Sequence, residues 1–197
     1  MLIGSQARKD RIRVHGYSKC SLYTAGHTRG IMARSDSFFI RATVATDTTN
    51  FNQDSIDLGS FVDALGKTVM RIHNVSVSYG SPLNGISTIP SAATAVAAFQ
   101  LTTQSQTQLI GSINRSSIST GSLVVGGTAA GDITVLSESL DIAPQEWNGG
   151  YLVAVESIFL GVDQAVANLV DEVTVVLECT VETMTAAASM ALALSQQ

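Results

Sequence analysis

The most concentrated chemistry in the sequence is a run of basic side chains near its start. Seven of the eleven Lys and Arg residues lie within the first 34 positions, opposed only by Asp10, so seven positive charges and one negative charge leave +6 there. Side chains of this type bind phosphate groups, and release of condensed counterions makes such binding strong at low salt and independent of base sequence. The predicted nucleic-acid-binding residues are Arg8, Lys9, Arg11, Arg13, Lys19, Arg29 and Arg34.

A second interpretation of this basic segment remains open. Residues 35–197 hold four basic and fifteen acidic residues, which gives −11, and the two parts sum to the net charge of −5. A basic segment on an acidic body indicates two different partners, one of them a polyanion. The alternative is that the segment packs on the acidic face of a neighbouring subunit. Nucleic acid is favoured, although Tyr17 and Tyr23 are too few to form a stacking platform for bases.

Patterns for catalysis or cofactor binding are absent from the sequence. It contains no G-x-S-x-G, G-x-x-x-x-G-K-[ST] or H-E-x-x-H pattern. The glycine-rich stretch 126–131 has no lysine and precedes no long helical pattern, which favours a flexible loop over a phosphate site. His15, His27 and His73 lack metal-ligand spacing, and a hydrogen-bonded or solvated His73 is expected. We therefore predict a non-enzymatic protein with no catalytic residues, no metal site, no cofactor and no small-molecule substrate.

The acidic residues and the cysteines have simple structural interpretations. The acidic residues gather in predicted loops and could bind Ca²⁺ between subunits, but none has EF-hand spacing, so solvated carboxylates are expected. These residues are Asp54, Asp57, Asp63, Asp163, Asp171 and Glu172. Cys20 and Cys179 form neither a metal motif nor a disulfide framework, and two unpaired thiols are favoured over a disulfide.

The composition indicates an unusually uncharged surface. Apolar residues make up 45% of the chain and charged residues 14%, below the usual quarter for a soluble domain. This suits a protein that covers much of its exterior with neighbouring copies, and it suits a secreted β protein with a neutral surface equally well. The first residues form no apolar run, so no signal peptide is expected, and no apolar stretch reaches the length of a membrane span.

The elements that would position these residues are predicted to be mainly β-strands. Apolar and polar residues alternate along Phe38–Thr46 and Val173–Glu182, and side chains alternate between faces along a strand. The alternation changes phase within Thr68–Tyr79, and a β-bulge near His73–Asn74 would return its apolar residues to one face. The other predicted strands are Cys20–Tyr23, Ile56–Leu58, Ala97–Thr102, Gln108–Ser112, Ser122–Val125, Ile133–Ser137 and Tyr151–Leu160.

About eight strands without alternating helices predict an all-β fold. The expected architecture is an antiparallel two-sheet sandwich, an eight-stranded jelly roll; an immunoglobulin-like sandwich is the alternative, but its Cys…Trp…Cys spacing is missing. The predicted division is a basic N-terminal arm over 1–35, the sandwich over 36–184 and a helical tail over 185–197. Short helical segments are predicted at Ser60–Gly66, Asp163–Leu169 and Ala186–Leu194.

The layout resembles the coat proteins of small icosahedral viruses that have a single jelly-roll domain. The resemblance is carried by the basic run Arg8–Arg13, the strand Phe38–Thr46, the bulged strand Thr68–Tyr79 and the closing strand Val173–Glu182. It is a resemblance of architecture, and it covers most of the chain. It implies an arm that faces a packaged genome, sandwich edges that meet neighbouring copies, and loops at the contacts between them.

The expected function is therefore that of a structural capsid protein. Many copies would self-assemble into a viral shell with the arm on packaged nucleic acid, in a virion assembled in the host cell cytoplasm. The alternative is a trimeric β-sandwich that binds a saccharide or a surface near Trp147 or Tyr151. The apolar C-terminal tail is too short to span a bilayer, and packing on protein is favoured over membrane contact.

Overall fold

The computed structural model describes residues 35–46, 50–63, 67–81, 86, 94–127, 133–167 and 169–197. The predicted strand Cys20–Tyr23 and all seven predicted nucleic-acid-binding residues lie outside these ranges, so they remain predictions. The boundary of the arm at residue 35 also remains a prediction.

Nine strands form two antiparallel sheets, which confirms the predicted all-β sandwich. One sheet has the strand order β1-β9-β3-β7 and the other has the order β2-β8-β4-β5-β6. The strands are β1 (Phe38–Ala45), β2 (Asn52–Asp57), β3 (Thr68–Tyr79), β4 (Thr94–Thr102), β5 (Ser117–Gly126), β6 (Thr134–Ile142), β7 (Tyr151–Val153), β8 (Ser157–Gln164) and β9 (Glu172–Thr183), and helix α1 (Ala186–Ser195) follows them.

The strand pairing is nested as in a jelly roll. Strand β1 pairs with β9, β2 with β8, β3 with β7 and β4 with β5, all antiparallel. This is the arrangement produced when one long antiparallel ribbon is wound so that consecutive pairs fall alternately in the two sheets. Strand β6 confirms the predicted strand Ile133–Ser137 and extends it to Ile142, and it pairs with β5 at the edge of the second sheet.

The core lies between the two sheets and follows the predicted alternation. On β9, the side chains of Val173, Val175, Leu177 and Cys179 are buried, while the intervening positions face outward. The largest buried side chain opposite them is Phe99 of β4. Alternation therefore predicted the buried face of this strand as far as Cys179, because a strand turns successive side chains to opposite faces. Beyond it the prediction was wrong, since Thr180 and Glu182 are buried and Val181 is only half-buried.

The predicted β-bulge in β3 is confirmed. The register between β3 and β9 shifts between Ile72 and Asn74. The shift keeps Met70, Ile72 and Val75 in the core although their spacing breaks the two-residue period. The extra residue, His73, faces outward, where its Nε2 atom lies 2.9 Å from the Thr180 hydroxyl oxygen.

The predicted strand Gln108–Ser112 was wrong, because this segment is an irregular loop. The cause is the buried side chain of Gln100 in β4. Its amide nitrogen donates to the Gln108 carbonyl oxygen at 3.1 Å, and its amide oxygen accepts from the Ile110 N–H at 2.7 Å. One side chain thus supplies the hydrogen bonds that a neighbouring strand would have supplied, so the loop needs no strand pairing.

The predicted single strand Tyr151–Leu160 was also wrong, because the chain changes sheets within it. Strand β7 belongs to the first sheet and β8 to the second, with residues 154–156 between them. The backbone in this crossing is paired elsewhere: Ala154 N–H donates to the Gln196 side chain at 3.0 Å, and the Glu156 carbonyl accepts from Leu58 N–H at 2.8 Å.

The two short helices predicted within the sandwich are not seen in the described residues. Strand β8 continues to Gln164 and ends in a turn, and the Gln164 side-chain oxygen accepts from Val170 N–H at 3.0 Å. The predicted helix Asp163–Leu169 was therefore wrong. In the segment Ser60–Gly66, a turn covers residues 59–61, residues 62 and 63 are irregular, and residues 64–66 lie outside the described ranges.

Helix α1 confirms the predicted helical tail and packs on the outer face of the first sheet. Thr185 caps it, accepting from Ala188 N–H at 3.3 Å. Ala193 packs with Val69 of β3 and with Ala154. Gln196 then fixes the end of the chain, since its side chain bonds both Ala154 N–H and the Leu152 carbonyl.

The second sheet is tightly packed around Gly121 of β5. A Cβ atom there would lie 2.5 Å from the Ser139 carbonyl oxygen and 2.7 Å from a Phe99 ring carbon. Because the first neighbour is backbone, Gly121→Ala is expected to lower the free energy of unfolding by about 2 kcal/mol, measured by urea denaturation. Gly111→Ala is the control, since nothing lies within 4 Å of its Cβ position. Equal stabilities of the two variants would contradict this packing.

Candidate assembly surfaces

Four basic residues lie in the described part of the chain, and one of them, Arg71, forms a structural ion pair. The Arg71 guanidinium donates to both carboxylate oxygens of Glu182, at 2.7 and 2.8 Å, and also to the Gly149 carbonyl. The hydrogen bonding of the guanidinium to the Glu182 carboxylate is the main reason that the pKa of Arg71 is raised. Glu182 is almost fully buried, so Arg71 neutralises an internal charge and is not a phosphate ligand.

The other three described basic residues are dispersed. Arg115 donates to the Gln197 carbonyl oxygen at 3.2 Å, and the Arg41 guanidinium lies 6.0 Å from the Phe39 ring centre. Lys67 directly precedes β3, at the end of the first sheet where β9 finishes, whereas the other end of that sheet holds Ala45 and the start of β9. Phosphate binding therefore stays assigned to the residues before Ser35, as a prediction.

The acidic residues predicted to lie in loops are mostly in strands: Asp54 and Asp57 belong to β2, Asp163 to β8 and Glu172 to β9. Asp54, Asp57 and Asp163 each accept from a nearby backbone N–H, at 2.8 Å in all three cases. Such contacts stabilise turns and strand ends. Among the described residues, no three metal-binding side chains come together.

Cys179 is a free thiol in the core, as predicted, whereas Cys20 lies outside the described residues. Burial, with a smaller contribution from the charge of Glu178, raises the pKa of Cys179 to about 12. The thiolate is the reactive form of cysteine, so this thiol should be inert in the folded protein.

Cys179 should therefore resist alkylation until the sandwich unfolds. In a Cys20→Ser variant at pH 8, iodoacetamide is expected to leave Cys179 unlabelled in the native protein and to label it fully in guanidinium. Mass spectrometry measures both states. Native labelling at the rate of an unhindered peptide thiol would contradict burial of Cys179 in the core.

Three groups of exposed apolar side chains lie on different parts of the sandwich. The first is on β1, where Phe39 is 56% exposed at one edge of the first sheet. The second is on β6, where Val135 and Leu136 are 52% and 60% exposed at the edge of the second sheet. We call the single side chain of Phe39 the β1 patch, and Val135 with Leu136 the β6 patch.

The β1 and β6 patches lie on opposite edges of the sandwich. Strand β1 lies against β2 and β8 of the other sheet, and β2 and β6 are the two ends of that sheet. An interface with two-fold symmetry uses the same patch on both partners. A single two-fold dimer therefore buries one patch and leaves the other in water, whereas head-to-tail contacts bury both.

The third group is the outer face of α1. Ala187, Met190, Ala191 and Leu194 are exposed at three- and four-residue spacing, which places them on one face of the helix. The chain from Met184 to Gln197 has no charged side chain, so this helix is apolar on both its packed and its open face. No described helix is long and apolar enough to cross a membrane.

The predicted saccharide region has a small aromatic surface. The rings of Trp147 and Tyr151 lie with their centres 5.8 Å apart, and Trp147 is 42% exposed. A cavity of about 380 Å³ beside Tyr151 is lined by Arg71, Arg115 and residues of α1, among others, and Trp147 is not part of its lining. Burial raises the pKa of Tyr151, while a hydrogen bond with Gln196 opposes this shift.

Comparisons with known proteins give little beyond this geometry. No protein-family model matches the sequence, and no curated protein matches it. A solved structure from desmodium yellow mottle tymovirus is similar over 90% of this chain and 96% of that chain, with 14% sequence identity and a TM-score of 0.33. A likeness at this level carries no argument about function, so the functional inference depends on the surfaces described above.

Proposed function

We propose that this chain is a structural coat subunit that self-assembles into a closed viral shell and has no catalytic role. The observation that supports it is the placement of the β1 and β6 patches on opposite edges of one sandwich. Head-to-tail contacts between such patches generate closed assemblies where the rotation between copies closes, and open filaments where it does not. A jelly roll hosts many functions, so the fold alone would not support this proposal.

The basic N-terminal segment has a separate part in the proposal. Arg8, Lys9, Arg11 and Arg13, with the three later basic residues, would contact packaged nucleic acid inside the shell. The rest of the chain is acidic, so the packaged phosphate would be drawn to the segment and repelled by the body. The particle would be the virion, assembled in the cytoplasm of the host cell.

Electron microscopy of the purified protein tests the assembly. Closed particles of uniform size are expected. A trimer of fixed size with bound glycan would favour a saccharide-binding sandwich, for which the Trp147–Tyr151 surface is the supporting observation. A monomer at micromolar concentration would overturn the coat proposal.

A charge placed in the β6 patch is expected to abolish particles without unfolding the subunit. In Leu136→Asp, the new carboxylate would lose its water on contact with a neighbour, whereas in the free subunit it stays solvated. The control is Thr107→Asp, which adds the same charge at an exposed loop residue. Particle yield by sedimentation and the melting temperature are the two measurements. Normal particle yield from Leu136→Asp would remove the β6 patch from the assembly contacts.

A further inference from the structure

The edge of β3 is only partly paired within the described residues. Strand β7 pairs with Met70–Ile72 and no further. Beyond it, the Gln145 side chain pairs with Val75, accepting from its N–H at 3.2 Å and donating to its carbonyl oxygen at 3.1 Å. A glutamine amide thus replaces a neighbouring strand for one residue, which shows that this edge takes up strand-like hydrogen bonds.

The next two positions along this edge are open. In an antiparallel strand, alternate residues direct their N–H and C=O groups to the same side. The backbone N–H and C=O groups of Val77 and Tyr79 therefore point the same way as those of Val75, away from β9. The next residue, Gly80, points the other way, since its N–H donates to the Glu172 carbonyl oxygen of β9 at 2.8 Å. Within the described part of the chain, no partner for the edge groups of Val77 and Tyr79 is seen.

A groove of about 400 Å³ lies along this open edge. Its walls are residues 74–77 and Tyr79 of β3, residues 138–140 of β6, and Gln145. The Tyr79 hydroxyl oxygen is buried and has no hydrogen-bond partner in the described residues. A buried hydroxyl without a partner is costly, so an occupant that brings a backbone carbonyl into the groove would stabilise it.

The groove is negatively charged. Glu138 forms part of the wall, and Asp141 follows on the same strand. Burial is the main cause of the raised pKa of the Tyr79 hydroxyl, and the charges of Glu138 and Asp141 raise it further. The groove therefore suits an extended segment that carries positive charge.

We propose that the segment Lys19–Thr24 of a second copy of this chain binds in this groove as an added strand on β3. It contains the predicted strand Cys20–Tyr23, has no acidic residue and supplies one positive charge, Lys19, which would then neutralise the groove and leave the other six basic residues for nucleic acid. Four residues suffice to pair with the open groups of Val77 and Tyr79. Added strands of this kind bind through main-chain hydrogen bonds, with side chains alternating toward and away from the groove.

The second copy is favoured because of where the groove and the segment lie. The groove opens between β3 and β6, on the edge that carries the β6 patch. The described chain begins at Ser35, which pairs with Val181 just before β1, on the opposite edge. Head-to-tail contact of these edges brings the groove of one copy near the start of the described chain of the next. The eleven residues that follow Thr24, up to Ser35, span at most about 40 Å. The inference therefore rests on the proposed assembly.

Hydrogen exchange measured by mass spectrometry on the full chain tests the added strand. In the wild type, the amides of Val77 and Tyr79 are expected to exchange at least tenfold more slowly than in Leu22→Pro, because proline interrupts the strand in the segment. Leu2→Pro, outside the segment, is the control and should behave as the wild type. Equal exchange in wild type and Leu22→Pro would overturn the proposal.

A mixing experiment identifies the copy that supplies the segment. When ¹⁵N-labelled Leu22→Pro is mixed with unlabelled wild type, slow exchange at Val77 and Tyr79 should return in the labelled chains. Failure of this rescue would overturn binding by a second copy and would leave a chain's own segment as the occupant. If Leu22→Pro alone does not assemble, labelled Leu22→Pro is co-assembled with an excess of unlabelled wild type and compared with labelled wild type in the same kind of particle, so that each labelled groove still meets a wild-type segment.

The same samples separate this inference from the coat proposal. If closed particles form and the Val77 amide exchanges at the same rate in wild type and in Leu22→Pro, the added strand is overturned and the coat proposal is not. Protection of labelled chains in samples that form only small oligomers would overturn the coat and leave the added strand standing.

Discussion

Replacing Arg8, Lys9, Arg11 and Arg13 together with Ala is expected to lower the affinity for single-stranded RNA by about two to three orders of magnitude at 0.1 M salt. Each lost phosphate contact removes about 0.7 from the slope of log affinity against log salt, so four contacts should remove about three. Fluorescence anisotropy with an oligonucleotide, measured from 50 to 400 mM salt by the usual titration, gives both the affinity and the slope.

The control removes positive charge from the sandwich. Arg41, Lys67 and Arg115 are dispersed over the described surface, so replacing all three with Ala should change the affinity only a few-fold. An unchanged salt slope in the Arg8–Arg13 variant would show that the run does not contact phosphate. An equal loss in the control would show that net charge, and not the run, determines binding.

Replacing Arg71 with Met is expected to lower the free energy of unfolding by about 3 kcal/mol, because it removes the guanidinium that pairs with the buried Glu182 carboxylate. Methionine preserves most of the volume of the side chain, so lost packing contributes little. For a chain of this length the loss corresponds to a fall in melting temperature of roughly 6–12 °C. Urea denaturation and calorimetry are the measurements.

Arg115→Met is the matched control. Arg115 donates one exposed hydrogen bond to the Gln197 carbonyl, and its loss should change stability by less than about 0.5 kcal/mol. Equal stabilities of the two variants would mean that Glu182 is not held as a buried charge. Arg71→Met combined with Glu182→Gln should recover part of the loss, because the variant then buries no charge.

Local patterns predicted much of the sandwich. The alternation along Val173–Glu182 identified the buried face of β9 as far as Cys179, and the phase change in Thr68–Tyr79 identified the bulge between Ile72 and Asn74. Both signals are local, because the two-residue period of a strand is visible in a single segment. The candidate surfaces could not be predicted from the sequence in the same way. The exposed apolar residues of β6 lie in a segment that was predicted to be a strand, but the sequence does not show that this strand is at the edge of a sheet.

The sequence by itself determined the two-faced strands, the helical tail and the separation of charge between residues 1–34 and the rest of the chain. Only the tertiary structure decided where strands stop. Tyr151–Leu160 is apolar on both faces because α1 covers the outer face at Leu152, and the chain then crosses to the other sheet. The Gln145 side chain takes the place of a strand partner at Val75 of β3. A side chain that pairs with a backbone so far along the chain leaves no periodic signal in its own segment, so this contact exists only once the two sheets are brought together. Gln100 acts over a shorter distance, on the loop that follows its own strand.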